Sequence, residues 1–205
     1  MLVGILGGSF NPPHRGHLAL ARTVLELGLA ERVLFIPAAV PPHKVAPREA
    51  DADTRLAMTR LLVDGEPDMD VSDVELRRSG PSFTIDTVRE LQSRNPGDRY
   101  RLIIGSDMAK SFHTWREYHA LLELAPPLIA ERPDSLFDAP IASRYPGLDE
   151  REAAVMEGGR FVMSPVDINS TLVRKLLSGG AADAEMGRYL TEPVLRFIRR
   201  QRLYV

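Results

Sequence analysis

Two histidines, His14 and His17, stand three positions apart in GGSFNPPHRGH (residues 7–17), directly after the apolar run LVGIL. An imidazole donates a hydrogen bond whether neutral or protonated, so such a pair can hold phosphoryl oxygens. Gly7 and Gly8 let the backbone turn sharply and approach a ligand without a Cβ in the way. A helix starting near Gly16 would aim its free N–H groups, with their partial positive charge, at the same spot. The stretch therefore reads as an anion cradle. It is neither G-x-G-x-x-G nor G-x-x-x-x-G-K-[ST], so the usual dinucleotide and P-loop patterns are not met. Zinc would need further ligands, and the sequence has neither cysteine nor H-E-x-x-H, so no protein metal site is expected.

Other stretches carry residues of compatible chemistry. In INSTLVRKLL, Ser170 and Thr171 open a helix, so hydroxyls, helix N–H groups and Arg174 converge on one anion, while Lys175 points elsewhere. Asp107, in GSD after the run RLII, can accept ribose hydroxyls or cap a helix, and Gly105 lets a sugar approach closely. Lys44 follows PPH, where a prepositioned cation meets phosphate; in isolation it reads as a solvated lysine.

These residues need a scaffold that brings them to one edge. Short continuous apolar runs at 2–6, 32–37, 69–76, 100–105, 127–131 and 160–164 suit strands buried on both faces. Between them, 17–29, 54–64 and 84–94 have helical spacing, the last with Thr84 or Asp86 as its cap. Alternation of strand and helix predicts an α/β fold with a parallel sheet, whose ligands bind outside the carboxyl ends of the strands. The glycine-rich stretch follows the first strand. Segments 38–52 and about 132–158 read as loops. From Asn169 the chain reads as helices, the first stopped by Gly179 and Gly180. In RFIRRQRLYV, Phe197, Ile198 and Leu203 are expected to pack inward while Arg196, Arg199, Arg200 and Arg202 favour the end of a helix dipole.

The chain has 205 residues, 44% of them hydrophobic, enough for a core; we expect a single domain, 1–205, with a helical C-terminal part at about 167–205. Basic and acidic residues number 26 and 28, so nothing global suggests a nucleic-acid or membrane-surface partner. No cysteine, no basic leader and no apolar stretch near the ~18 residues of a membrane span point to a cytoplasmic protein.

GGSFNPPHRGH resembles the G-x-F-[DN]-P-x-H-x-G-H signature of the nucleotidyltransferase superfamily, relatives of the class I aminoacyl-tRNA synthetases. Further stretches, IPAAVPPHK (36–44), GPSFTIDTV (80–88) and IIGSDMAKSFHTW (103–115), resemble in order and spacing the bacterial nicotinate-nucleotide adenylyltransferases. DINSTLVRKLL (167–177) resembles the second superfamily signature, I-S-S-T-x-x-R. The resemblance spans nearly the whole chain. It implies a Rossmann-like, doubly wound parallel sheet and transfer of the adenylyl group of ATP to nicotinate mononucleotide, giving deamido-NAD and pyrophosphate, with Mg2+ accompanying ATP. It assigns His14 and His17 to the α-phosphate and its bridging oxygens, aided by Gly7, Gly8, Gly16 and backbone N–H groups near Ser9 and Phe10. Ser170, Thr171 and Arg174 take the β- and γ-phosphates, and Gly105 and Asp107 the ribose. His43, Lys44, Phe83, Thr84 and Ile85 fall to the mononucleotide, the backbone around Thr84 to its carboxylate, and Trp115 to stacking on its pyridine ring; the catalytic set it implies is His14, His17, Lys44 and Arg174.

Two positions depart from the pattern: Asn11 stands where Asp is commoner, and Asn169 where Ser is usual. Alternatives are an adenylyltransferase for nicotinamide mononucleotide or another phosphate acceptor, a nucleotide-binding sensor without turnover, and an RNA-binding module. The sequence does not give the oligomeric state.

Overall fold

The computed structural model describes residues 1–39, 50–131, 148–164 and 166–205. Among these, six strands form one sheet: β1 (Leu2–Gly8), β2 (Arg32–Pro37), β3 (Met69–Val71), β4 (Arg99–Gly105), β5 (Pro127–Glu131) and β6 (Arg160–Val162), in the order β3-β2-β1-β4-β5-β6. The registers of β1 with β4, β4 with β5 and β5 with β6 are parallel. The order runs outward both ways from β1 and β4, which makes the sheet doubly wound and Rossmann-like. Helices α1 (Arg15–Glu26), α2 (Ala52–Val63) and α3 (Thr84–Arg94) follow the first three strands. Next come α4 (Ser106–Lys110), a 3₁₀ turn (Phe112–Thr114), α5 (Tyr118–Leu124) and α6 (Glu150–Glu157). The C-terminal part consists of α7 (Ser170–Ser178), α8 (Asp183–Met186) and α9 (Glu192–Arg200).

The chain divides into two compact units: Met1–Gly7, Thr23–Leu34 and Phe83–Pro165; and Gly8–Arg22, Phe35–Ser82 and Val166–Val205. In the first unit every residue of β5 is buried, as expected of an unbroken apolar run, and Leu102, Ile103 and Ile104 of β4 lie beside it. The buried Glu131 at its end pairs with Arg160 of β6. Gly159 is obligatory at this junction: a Cβ there would lie 2.0 Å from the Pro127 carbonyl oxygen. In the second unit Phe10, Leu18, Phe35, Met58, Val173, Leu190 and Val194 are buried.

Several local expectations change. MDVSDVEL is a strand only over its first three residues, because Ser72 Oγ accepts from the Val74 N–H (3.3 Å) and Arg77 reaches back to Asp73 (2.9 Å). Part of the expected loop 132–158 is α6, whose capping box joins Asp149 and Glu152. Neither Thr84 nor Asp86 caps α3: Phe83 holds that position without a side-chain hydrogen bond, and Thr84 is the first helical residue. At the C-terminus Tyr204 and Ile198 are buried, whereas Leu203 and Phe197 are only half-buried.

Candidate active site

The turn after β1 is made differently from the expectation. Gly7 and Gly8 continue the strand, and the chain turns at Phe10, a non-glycine residue with φ of 48°. A side chain on Gly7 would meet nothing within 4 Å, and one on Gly8 would meet the Phe10 ring at 3.4 Å. Phe10 is held by an edge contact with His17 (4.9 Å between centroids) and by Phe35 (5.8 Å). The Asn11–Pro12 peptide is cis.

His14 immediately precedes α1 and His17 is its third residue. Their rings stack at 3.7 Å and 27°. The His14 N–H donates to His17 Nδ1 (3.1 Å), so the neutral His17 ring carries its proton on Nε2. Burial lowers the His14 pKa to about 4. Burial, and then the neighbouring His14, hold His17 well below 6.5. Both rings are therefore neutral at pH 7, and His17 offers a fixed Nε2–H donor. His14 Nδ1 is buried and has no hydrogen-bond partner among the described residues. Gly16 makes room for this arrangement, since a Cβ there would stand 3.0 Å from His14 Nδ1. The helix contributes fewer free N–H groups than the sequence suggests: that of Arg15 donates to Tyr189 O (2.8 Å) and that of His17 to His14 O (2.9 Å).

Ser170 and Arg174 lie with this turn, but they are engaged. The Ser170 hydroxyl donates to Pro12 O (2.9 Å), and Arg174 donates to Asn11 O (2.6 Å) and Thr171 Oγ1 (3.3 Å). Asn169 takes the cap of α7, its side chain accepting from the Leu172 N–H at 2.9 Å, which accounts for a short polar residue there. Thr171 and Lys175 are exposed.

Sequence reasoning missed three contributors. Asn11 is only 1% exposed, and its Oδ1 accepts from the Ala50 N–H (3.2 Å) and the Tyr204 hydroxyl (2.6 Å), while Nδ2 is buried without a partner among the described residues. The third is Arg55, which donates to Ser9 O (2.7 Å). Only the unusual Asn11 carried a signal; Arg55 and Tyr204 look like ordinary helix and tail residues.

The remaining expected residues that the structure describes belong to the first unit. Gly105 ends β4 and occupies the N-cap position of α4, with nothing within 4 Å of an added Cβ. Asp107 is therefore not the cap; its side chain is 95% exposed, with Lys110 at 3.4 Å. Ile85 is fully buried, so only its backbone could meet a ligand. Arg116 lies 4.8 Å over the Phe83 ring, and Trp115, half-buried, tilts against Phe112 at 5.1 Å. His43 and Lys44 lie outside the described residues. Among the described residues no three His, Asp or Glu side chains group to hold a metal ion, and no helix is long and apolar enough to cross a membrane.

Comparison with known proteins gives consistent matches. The sequence model of the cytidylyltransferase-like family matches residues 5–176. A protein of Geobacter metallireducens named "Probable nicotinate-nucleotide adenylyltransferase" is 38% identical, with 100% of this chain and 98% of that protein covered. One of the same name from Symbiobacterium thermophilum is 39% identical, covering 99% and 95%. Plasmodium falciparum nicotinic acid mononucleotide adenylyltransferase complexed with NaAD superposes with a TM-score of 0.77, covering 99% of this chain and 97% of that one. Its complex with APC gives 0.74, over 99% and 96%. Both are 17% identical to this chain, a likeness of fold.

Proposed function

This chain belongs to the cytidylyltransferase-like family and, within it, to the nicotinate-nucleotide adenylyltransferases, and we propose from that premise that it makes deamido-NAD in NAD biosynthesis. A 5′-phosphate oxygen of nicotinate mononucleotide attacks the α-phosphorus of ATP. The new P–O bond forms as the bond to the β-phosphate oxygen breaks, and pyrophosphate leaves. The substrate supplies the nucleophile, so the protein's part is to align two anions and stabilise charge developing on phosphoryl oxygens.

The observation that carries this reading is the stacked, neutral histidine pair at the end of β1. A protonated pair at that separation would repel itself. A neutral pair donates hydrogen bonds without that cost, and His17 Nε2–H is fixed by the bond on its other nitrogen. We assign His14, His17 and the N–H groups of Ser9 and Phe10 to the α-phosphate, beside Gly7, Gly8 and Gly16. Ser170, Thr171 and Arg174 are assigned to the β- and γ-phosphates, which requires Ser170 and Arg174 to exchange loop carbonyls for phosphate oxygens. Lys44 and His43 are assigned to the mononucleotide phosphate, Gly105 and Asp107 to ribose, the backbone of Phe83, Thr84 and Ile85 to the nicotinate carboxylate, and Trp115 to the pyridine ring. Mg2+ accompanying ATP would be held mostly by the phosphates and water and would offset phosphate charge.

Pyrophosphate release with MgATP, comparing nicotinate with nicotinamide mononucleotide, tests the reading. Strong preference for the acid supports it. Equal use keeps the transfer and removes the assignment of a carboxylate-reading backbone at Thr84. Release with neither overturns the reading.

A further inference from the structure

Arg55 is a buried charge to which no role has been assigned. Arg55, in the first turn of α2, is 3% exposed. A cation taken that far from water is costly unless hydrogen-bonded on several sides. Its guanidinium donates to three carbonyls: Ser9 O at 2.7 Å, Ala50 O at 3.1 Å and Ala39 O at 3.2 Å. Ala50 is held a second time, through its N–H, by Asn11 Oδ1 (3.2 Å). One planar fork thus ties the turn after β1 to the residues that flank segment 40–49.

The bond to Ser9 is the informative one. Among the described residues the N–H groups of Ser9 and Phe10 have no hydrogen-bond partner. Phe10 itself sits in the left-handed region, with φ of 48°, where a non-glycine residue stays only if its surroundings impose it. Arg55 fixes the carbonyl before Phe10, and Arg174 fixes the carbonyl of the residue after it. A carbonyl that accepts from a cation also polarises its own peptide, so the N–H at the other end becomes a stronger donor.

We infer that Arg55 is a positioning residue for adenylyl transfer: it holds and polarises the Ser9–Phe10 peptide so that the Phe10 N–H meets charge developing on the α-phosphate. This rests on the adenylyltransferase reading. An interaction of that kind is realised in the transition state, so its loss lowers kcat and leaves substrate binding nearly intact.

The test uses the full chain with Arg55→Lys and Arg55→Met, measured for pyrophosphate release from MgATP and nicotinate mononucleotide and for thermal unfolding. The expected result for Arg55→Met is a fall in kcat on the order of 10- to 100-fold per folded molecule, with both KM values within about threefold of the parent. A merely structural arginine would lower Tm while kcat per folded molecule stayed the same, and that result overturns the inference. So does a rise in KM at unchanged kcat. If Arg55→Met does not fold, Arg55→Lys decides. Lysine keeps the charge but cannot span three carbonyls, so kcat should fall about tenfold, and parental kcat overturns the inference. Absence of pyrophosphate release by the parent chain removes the adenylyltransferase reading and this inference together; parental turnover with unchanged variants removes this inference alone.

Discussion

At the scale of single residues, the histidine pair sets the behaviour of the molecule against pH. In the unfolded chain each imidazole titrates near 6.5, whereas folded His14 titrates near 4 and His17 well below 6.5. Between those limits the unfolded state binds more protons, so stability falls as pH drops through about 6.5 toward 4, by up to ~1.4 kcal/mol per pH unit for each ring. Asp51 and Asp73 are held below the usual 3.8 by hydrogen bonds from Thr54 and Arg77, so their stabilisation is lost only at lower pH. Tm measured from pH 7 to pH 4 should therefore decline in the parent and decline less in His17→Gln. An equal slope in both would show that His17 is not held neutral in the folded protein. For the reaction, His14→Ala and His17→Ala should each lower kcat on the order of 10²- to 10³-fold, and the double variant should abolish turnover while ATP binding, followed by calorimetry, persists. The spacing H-x-x-H made these two legible in the sequence. Their stacking, their neutrality and the anchoring of the buried Asn11 Oδ1 by Ala50 and Tyr204 were not legible, because burial belongs to the fold.

At the scale of elements, the limits of legibility have local causes. Arg32–Pro37, Pro127–Glu131 and Thr84–Arg94 match the runs read from sequence, since each is a single uninterrupted pattern. The strand beginning at Met69 is shorter than its apolar run because Val74 continues the pattern past the point where Ser72 and Asp73 side chains turn the backbone. Helix α6 gives no helical signal in the sequence, its eight residues being too few for a clear period amid Pro, Asp and Gly. Helix α7 was placed correctly, yet the role of Asn169 was not seen. Its side chain closes the first turn, so Asn169→Ala should cost ~1 kcal/mol and Asn169→Ser nearly nothing. Denaturant unfolding measures both. Because the cap orients the turn that carries Ser170 and Arg174, the alanine variant should also bind ATP more weakly. Unchanged stability in Asn169→Ala would show that the cap is replaceable by water.

At the scale of the whole molecule, the second unit is assembled from three distant stretches, Gly8–Arg22, Phe35–Ser82 and Val166–Val205. The turn to which we assign the α-phosphate lies in the first of these and is held by residues of the other two. Arg55 comes from the middle stretch, and Ser170, Arg174 and Tyr204 from the last. No local pattern announces such a convergence, which is why Tyr204 read as part of an ordinary tail. Its backbone has φ of 60°, in the left-handed region, and its side chain is 8% exposed. A residue in that conformation is retained by what its side chain does. Here the ring packs inward and the hydroxyl donates to Asn11 Oδ1 at 2.6 Å, across 193 positions of sequence. Tyr204→Phe removes only the hydroxyl and should cost ~1 kcal/mol, a fall in Tm of about 2–4 °C for a chain this size. Tyr204→Ala also removes the ring and should cost roughly 3–5 kcal/mol. If the turn depends on this anchor, Tyr204→Phe should lower kcat a few-fold at temperatures where it is fully folded. A variant as active and as stable as the parent would mean that Asn11 keeps its place through Ala50 alone, and that the tail packs within the second unit without steering the turn after β1.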